Sequence, residues 1–368
     1  MFAEEKASAK SSATHFSFTR NGALIAHPED MPKPGPYYTC LVNMEGVQNF
    51  PFEYALYFST DHNHEGGIWL YLCNGVLSEA GSWKSYDQAV VDGDFDYLHN
   101  KPEKNPIFRD TVQGYSSETP HANVIDGTVY MTYHNVLGKG KGQATLLSTS
   151  PDGINFFRIN GEEDSVVLHG SGHNGYFRWA PNPFSGVKHK YVGYSLYGGG
   201  KNYHSAMWVS DDAIEWNLEQ VFTPTEGLAV DEEDRMLIWH EFDPASVRPL
   251  GNGEYIALCA GGNRASGSME RIVEIYEVFL ADDGKTLIRE ARKVVPRGPE
   301  GSFDSEEATE PTPIVIGDTW YLLYVGTSQK GKLNTVMSAT GTLDISAPQP
   351  PKLSAEDQQR HFYTPEKK

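Results

Sequence analysis

His240-Glu241-Phe242-Asp243-Pro244-Ala245-Ser246-Val247-Arg248-Pro249-Leu250-Gly251-Asn252-Gly253-Glu254-Tyr255-Ile256-Ala257-Leu258 reads as a polar cluster, a short apolar strand, a tight turn and a second strand. Asn-Gly between two β-rich runs is a hairpin signal, because both residues accept the positive φ of two-residue hairpin turns. The same order recurs elsewhere. Glu118-Thr119-Pro120-His121 leads through Asp126-Gly127 to Val129–Tyr133, and Glu310-Pro311 leads through Gly317-Asp318 to Trp320–Val325. A weaker copy opens at Ala180-Pro181. The chain therefore reads as an internal repeat, in which Thr119, Ala180, Asp243 and Glu310 each precede a proline that opens the inner strand of a unit.

Composition agrees with strands. Twenty Tyr, seventeen Phe and seven Trp favour β structure, and thirty-six Gly with twenty-two Pro supply turns. The 368 residues exceed the usual size of a single core, but repeated units stacked round an axis escape that limit. Forty-nine acidic against thirty basic residues give a formal charge of −19, which excludes nucleic acid and an anionic membrane surface as main partners. No apolar run approaches the ~20 residues of a membrane-spanning helix. Cys40, Cys73 and Cys259 each sit in an apolar run without metal-ligand spacing, which predicts buried free thiols.

Residues 1–14 read as a flexible N-terminal tail, and residues 349–368 as a solvent-exposed C-terminal tail. Between them, 15–348 reads as one domain. The first unit is expected to hold strands at Tyr37–Asn43, Glu53–Ser59, Gly67–Cys73 and near Trp83–Val91. Its polar segment 60–66 carries His62 and His64, which fit either a plain loop or a metal site. Residues 92–114 form a long excursion, and 169–179 a Gly-rich, polar-aromatic loop. In the second and third units, Ser148–Phe157 and Trp208–Trp216 share a Ser-x-Asp turn that is structural. Five units of about four strands, spaced by roughly 50–65 residues, predict an all-β, five-bladed β-propeller. A pair of β-sandwiches would also explain the strands, but not the proline-anchored repeat. In a propeller, Glu118, Asp243 and Glu310 converge on the central axis. The first strand, from His15, is placed to complete the last blade.

Glu118-Thr119-Pro120-His121 with the strand after it resembles the general-acid blade of the five-bladed glycoside hydrolases of family 43. Asp243-Pro244-Ala245-Ser246-Val247-Arg248 is similar to the Asp-Pro start of another inner strand of such enzymes. Here the Asp-Pro unit comes fourth rather than first, a departure that looks more like family 117, in which a histidine serves as the acid. The resemblance implies a glycoside hydrolase that uses two carboxyl groups across a sugar ring. Glu118 is the expected acid and Asp243 the base, with Glu310 raising the acid's pKa by like-charge repulsion and His121 an alternative acid. Against this stands the reading that these acids cap strand starts or pair with arginines.

Tyr176 and Trp179 are candidates to stack on a sugar, or to pack between blades. His173 and His240 are candidate sugar contacts. Arg178 and Arg248 are candidates to hold a carboxylate or sulfate, which makes the end of a short anionic oligosaccharide the expected substrate. Two other classes stay open: a lyase eliminating at a uronic acid through His173, Tyr176 and Arg178 with His121 and His134, and a non-catalytic sugar-binding propeller. No cofactor is required, while the converging carboxylates are compatible with an axial metal ion. The expected location is periplasmic or secreted, with any leader outside this chain. The segments 60–66, 92–114 and 169–179 are expected to wall one end of the axis.

Overall fold

The computed structural model of the chain describes residues 14–28, 31–60, 66–114, 116–137, 142–169, 173–198, 204–222, 235–263, 272–328, 333–360 and 362. His62, His64 and most of the tail 1–14 lie outside the described residues. Nearly all regular structure is β. After β1 (Phe16–Ile25), unit one holds β2 (Tyr37–Asn43), β3 (Tyr54–Ser59), β4 (Ile68–Cys73), β5 (Trp83–Ser85) and α1 (Tyr86–Val91). Unit two holds β6 (Ser117–Ile125), β7 (Thr128–Val136), β8 (Gln143–Ser150) and β9 (Phe157–Arg158). Unit three holds β10 (Asn174–Pro181), β11 (Tyr191–Tyr197), β12 (His204–Ser210) and β13 (Asn217–Phe222). Unit four holds β14 (Arg235–Leu237), β15 (Arg248–Gly251), β16 (Glu254–Asn263), β17 (Val273–Ala281) and β18 (Arg292–Val295). Unit five holds β19 (Glu307–Ile316), β20 (Thr319–Ser328) and β21 (Leu333–Leu343), and α2 (Ala355–Gln359) follows.

The hairpin signals hold. Asp126-Gly127 and Asn252-Gly253 have φ of 49° and 77°, and 53° and 73°, as a mirror-image turn requires. In the outer turns Asp152 accepts from the amides of Ile154 and Asn155 at 2.8 and 2.7 Å, and Asp212 from those of Ile214 and Glu215 at 2.9 and 2.8 Å. One expected strand is partly a helix. Ser85 accepts from Gln88 N at 3.2 Å and caps α1, whose Tyr86 and Ala89 are buried, so the run to Val91 leaves the sheet at Ser85.

Units one to three are separate four-stranded sheets, whereas units four and five share one nine-stranded sheet. A single parallel bridge, Val273 with Glu307, joins β17 to β19. Inner segments neighbour one another in a cycle: β2 lies beside β6, β6 beside β10, β10 beside the turns between β14 and β15, those turns beside β19, and β19 beside β2. The apolar core is divided the same way. Phe58 and Trp69 of unit one pack with Leu323 and Val336 of unit five, Tyr57 with Met131, Leu147 with Trp179 and Trp208, Tyr194 with Tyr276, and Phe279 with Tyr324. Neighbouring sheets therefore bury one another's faces, which explains strands as uniformly buried as β3 and β17.

β1 pairs antiparallel with β21, from Phe16 opposite Leu343 to Ile25 opposite Val336. Its start is pinned to unit four by the fully buried Glu277, which accepts from His15 N at 2.9 Å, Phe16 N at 3.0 Å and Arg292 Nε at 2.7 Å. The segment after Pro348, exposed along much of its length, runs along unit four. The carbonyls of Pro348 and Pro350 accept from Arg292 and Arg289, each at 2.9 Å, and Leu353 N donates to Ile288 O at 3.0 Å. Phe362 then packs on Phe222 of unit three, with ring centres 6.2 Å apart.

Candidate active site

Four inner strands carry a bulge at their start, each marked by a non-glycine residue with positive φ: Tyr38 at 51°, Thr119 at 49°, Tyr176 at 56° and Glu310 at 55°. The left-handed conformation costs such residues on the order of 1 kcal/mol each, and it persists where surrounding structure enforces it. This alignment corrects one expected equivalence and agrees with another. Tyr176, not Ala180, is the counterpart of Thr119, because Pro181 ends β10 instead of opening it. Glu310 matches Thr119, as the proline pattern has it, since Thr309 precedes its bulge as Glu118 precedes the other. The expected loop 169–179 is accordingly in large part the inner strand of unit three.

Unit four differs. Between β14 and β15 the strand gives way to two 3₁₀ turns, Trp239–Glu241 and Pro244–Ser246. Asp243 was expected to open an apolar strand. Its side chain instead accepts from Ala245 N at 2.9 Å and Pro244 occupies the first helical position, so the pair starts a turn.

At the axis these elements meet. Glu310 accepts the backbone N–H of Tyr38, and Glu241 accepts from Thr309 Oγ1 and, at 3.1 Å, from Glu310 N. Burial, then the negative field of Glu241, push the Glu310 carboxyl up to about 8, so it is protonated at neutral pH. Burial, followed by Glu241, Glu310 and Tyr176, holds the Tyr38 phenol well above its ordinary value, which keeps it a hydrogen-bond donor. Rings of Tyr38 and Tyr176 lie 4.7 Å apart. Arg178 Nη1 donates to Asp243 Oδ2 at 3.3 Å, Pro311 O at 3.3 Å and Thr312 Oγ1 at 3.4 Å. Its Nε and Nη2 are buried without a hydrogen-bond partner among the described residues. Around Tyr176 stand His134, His240 and His173, at ring separations of 5.1, 5.5 and 5.6 Å. Gly175 makes room for them, because a Cβ there would stand 3.0 Å from the His134 ring.

The sequence candidates therefore divide. Glu310, Asp243, Arg178, Tyr176, His173 and His240 gather at the axis. Glu118 is fully buried beside them, accepting from Tyr37 OH at 3.1 Å and from Ser116 Oγ, and it is not among the charges that shift Glu310 or Tyr38. His121 donates through Nε2 to Trp179 O at 2.7 Å, and burial lowers its pKa to about 4, so it is neutral at pH 7. Trp179 is wholly buried, bonded to Thr132 Oγ1 at 3.2 Å and packed on Trp216. It is core and cannot stack on a sugar. Arg248 lies over the Trp320 ring at 4.7 Å and donates to the carbonyls of Ala245 and Val247, which occupies it structurally.

Two residues went unassigned in the sequence. Glu241 sits inside the polar run His240–Asp243, but no proline or spacing singled it out. Tyr38 carried no local signal, since its bulge lacks glycine and proline. Among the described residues no group of three or more His, Cys, Asp or Glu is arranged to hold a metal ion. Of the walls expected round the axis, 61–65 and 170–172 lie outside the described residues. Residues 105–114 run beside the site end of the sheets, with Ile68 N donating to Phe108 O at 2.9 Å and Asp110 N to Ser117 Oγ at 2.7 Å.

No family model matches the chain, and no curated protein does. Solved structures do. An N-acetylgalactosamine deacetylase from F. plautii, in complex with blood group B trisaccharide, is similar over 89% of this chain and 96% of its own, at 14% identity and a TM-score of 0.58. A member of the GH130 family of mannoside phosphorylases, which contains glycoside hydrolases that target β-1,2 mannosidic linkages in Candida mannan, is similar over 93% and 97%, at 14% identity and a TM-score of 0.56. A thermostable family-43 glycoside hydrolase is similar over 89% and 97%, at 12% identity and a TM-score of 0.51. The likeness to family 43 read from the strand signatures thus holds at the level of fold.

Proposed function

We propose that the chain is a five-bladed propeller glycoside hydrolase that removes a sugar from the end of a short oligosaccharide. The five-fold count is supported by the cycle of inner segments and by apolar packing between each unit and the next round that cycle. The chemistry rests on one observation: Glu310, neutral at pH 7, shares the axis with a second carboxylate, Glu241, which raises its pKa. Glu310 is the proton donor to the leaving glycosidic oxygen. Glu241 takes the proton of the attacking water. Tyr38, whose phenol stays protonated, offers a donor to a sugar hydroxyl. Relative to the sequence expectation, the acid role passes from Glu118 to Glu310 and the base role from Asp243 to Glu241, because Asp243 is committed to Arg178 and to Ala245 N. The anionic substrate passes with it. Arg178 is paired with Asp243, so the site has no net positive charge, and a neutral sugar end is the substrate that suits it.

The test is incubation with a panel of plant and marine oligosaccharides, following both reducing ends and ultraviolet absorbance. New saturated reducing ends, lost in Glu310→Gln and Glu241→Gln, are expected. Activity should fall above about pH 8 as Glu310 ionises, and the residual activity of Glu241→Gln should fall at lower pH. A conjugated, ultraviolet-absorbing product would replace this reading with elimination through Tyr176 and its histidines; binding without product would leave a sugar-binding propeller.

A further inference from the structure

Glu241 sits at the end of a turn whose other end is Trp239, and Trp239 is held by aromatic rings from three places. It stacks on Phe222, the last residue of β13, at 4.7 Å and 11° between planes. Tyr194 of β11 lies 6.1 Å away and Phe242 lies 5.8 Å away. Phe222 also receives Phe362, at 6.2 Å between ring centres, and the two backbones bridge. Phe362 N is bonded to Gln359 O at 3.1 Å, which ties it to α2, and α2 is capped by Ser354 next to the Leu353 amide bonded to Ile288. A continuous path of contacts thus runs from unit four's outer edge, through the C-terminal segment, to the turn that carries Glu241.

We propose that residues 348–360 together with Phe362 are a strap that positions the Glu241 turn, with Phe362, Phe222 and Trp239 as positioning residues. The physical need lies in the local architecture. Unit four has no bulged inner strand to fix its axial groups, so a few separate hydrogen bonds and side-chain packing hold the turn where a ladder of main-chain bonds holds the other units. Short 3₁₀ turns have little stability of their own. What seals their apolar side decides how firmly Glu241 stands by Glu310. The catalytic consequence rests on the hydrolase reading above; the structural one does not.

Hydrogen–deuterium exchange on the full chain tests the strap without activity. In Phe362→Ala, amides of 236–247 should exchange at least about tenfold faster, while those of 117–125 keep wild-type rates. Phe362→Leu, which retains much of the contact, should restore most of the protection. On a substrate found as above, Phe362→Ala should lower kcat about tenfold with KM within about twofold, since proton transfer suffers from small misplacement. Its basic pH limb should also move down, because Glu241 displaced from Glu310 no longer raises that pKa. Unchanged exchange at 236–247 overturns the strap, and so does an equal rise across the whole chain, which would mean general loosening. If the wild-type protein cleaves nothing, the hydrolase reading fails and exchange alone still decides the strap.

Discussion

Two ways of delivering a side chain to the axis stand next to each other in this molecule. Units one, two, three and five keep a continuous inner strand and push one residue out on a bulge, whereas unit four breaks its strand between Leu237 and Arg248. A bulge keeps nearly all ladder bonds and presents one group, at the expense of a left-handed residue. The break loses ladder bonds but brings His240, Glu241 and Asp243 to the axis together. It is repaired locally: Ser246 Oγ donates to Asp243 O at 2.7 Å and accepts Leu258 N at 2.9 Å, tying the turn back to β16. The bulges set positions rigidly, while the break concentrates ionisable groups and leaves their placement to packing.

Substitutions can break this comparison or sharpen it. Glu310→Gln is expected to lower turnover by about 10²–10⁴-fold, the contribution of a general acid, whereas Glu118→Gln should leave turnover within about tenfold and act on thermal stability. Equal catalytic losses would return the chemistry to units one and two. Glu277→Ala strands Arg292 and two amides at the seam; it should cost about 3–5 kcal/mol in denaturant unfolding, as for a broken buried pair, with the bulges and the axis untouched.

On the bulged side, His121 makes stability depend on pH. A histidine whose folded pKa is about 4 against 6.5 ordinarily adds stability above pH 6.5 and loses it as pH falls toward 4. Wild type should therefore lose on the order of 3 kcal/mol over that window from this group, and His121→Gln should flatten that slope. On the broken side, Ser246→Ala should cost about 1–3 kcal/mol by leaving Leu258 N unsatisfied, and hydrogen exchange of the turn should rise with it. Least affected is Arg248→Ala, which loses a stacking contact worth about 0.5–1 kcal/mol and should leave KM unchanged.

The bulges explain what was legible. Hairpins marked by Asp-Gly and Asn-Gly announced the strands, and the aromatic composition agreed with them. Prolines marked the inner strands but misaligned them, because a proline can follow a bulge, as Pro120 and Pro311 do, close a strand, as Pro181 does, or start a turn, as Pro244 does. At Tyr38 nothing local distinguished the bulge residue from any strand tyrosine, whereas Tyr176 stood out by its Gly-rich surroundings. Glu241 was hidden for a related reason: its role arises from Thr309 and Glu310, some seventy residues away in sequence. Trp179 and Arg248 carried the right chemistry for a sugar site, yet packing against Trp216 and Trp320 had already claimed them.

The pairing of Phe16–Ile25 with the strand that ends at Leu343 also governs how the chain comes to be folded during synthesis. β1 leaves the ribosome long before β21, so it waits for its partner while units one to four are made. Until then its edge is an open template for wrong pairing, and contacts this distant in sequence form slowly. Alternation of polar residues along it, Ser17, Thr19, Arg20 and Asn21 among them, keeps the waiting segment soluble. A circular permutant that joins the termini and opens the chain at the Asp126-Gly127 hairpin would make that pairing local, and refolding after dilution from denaturant should then be faster than in the natural order.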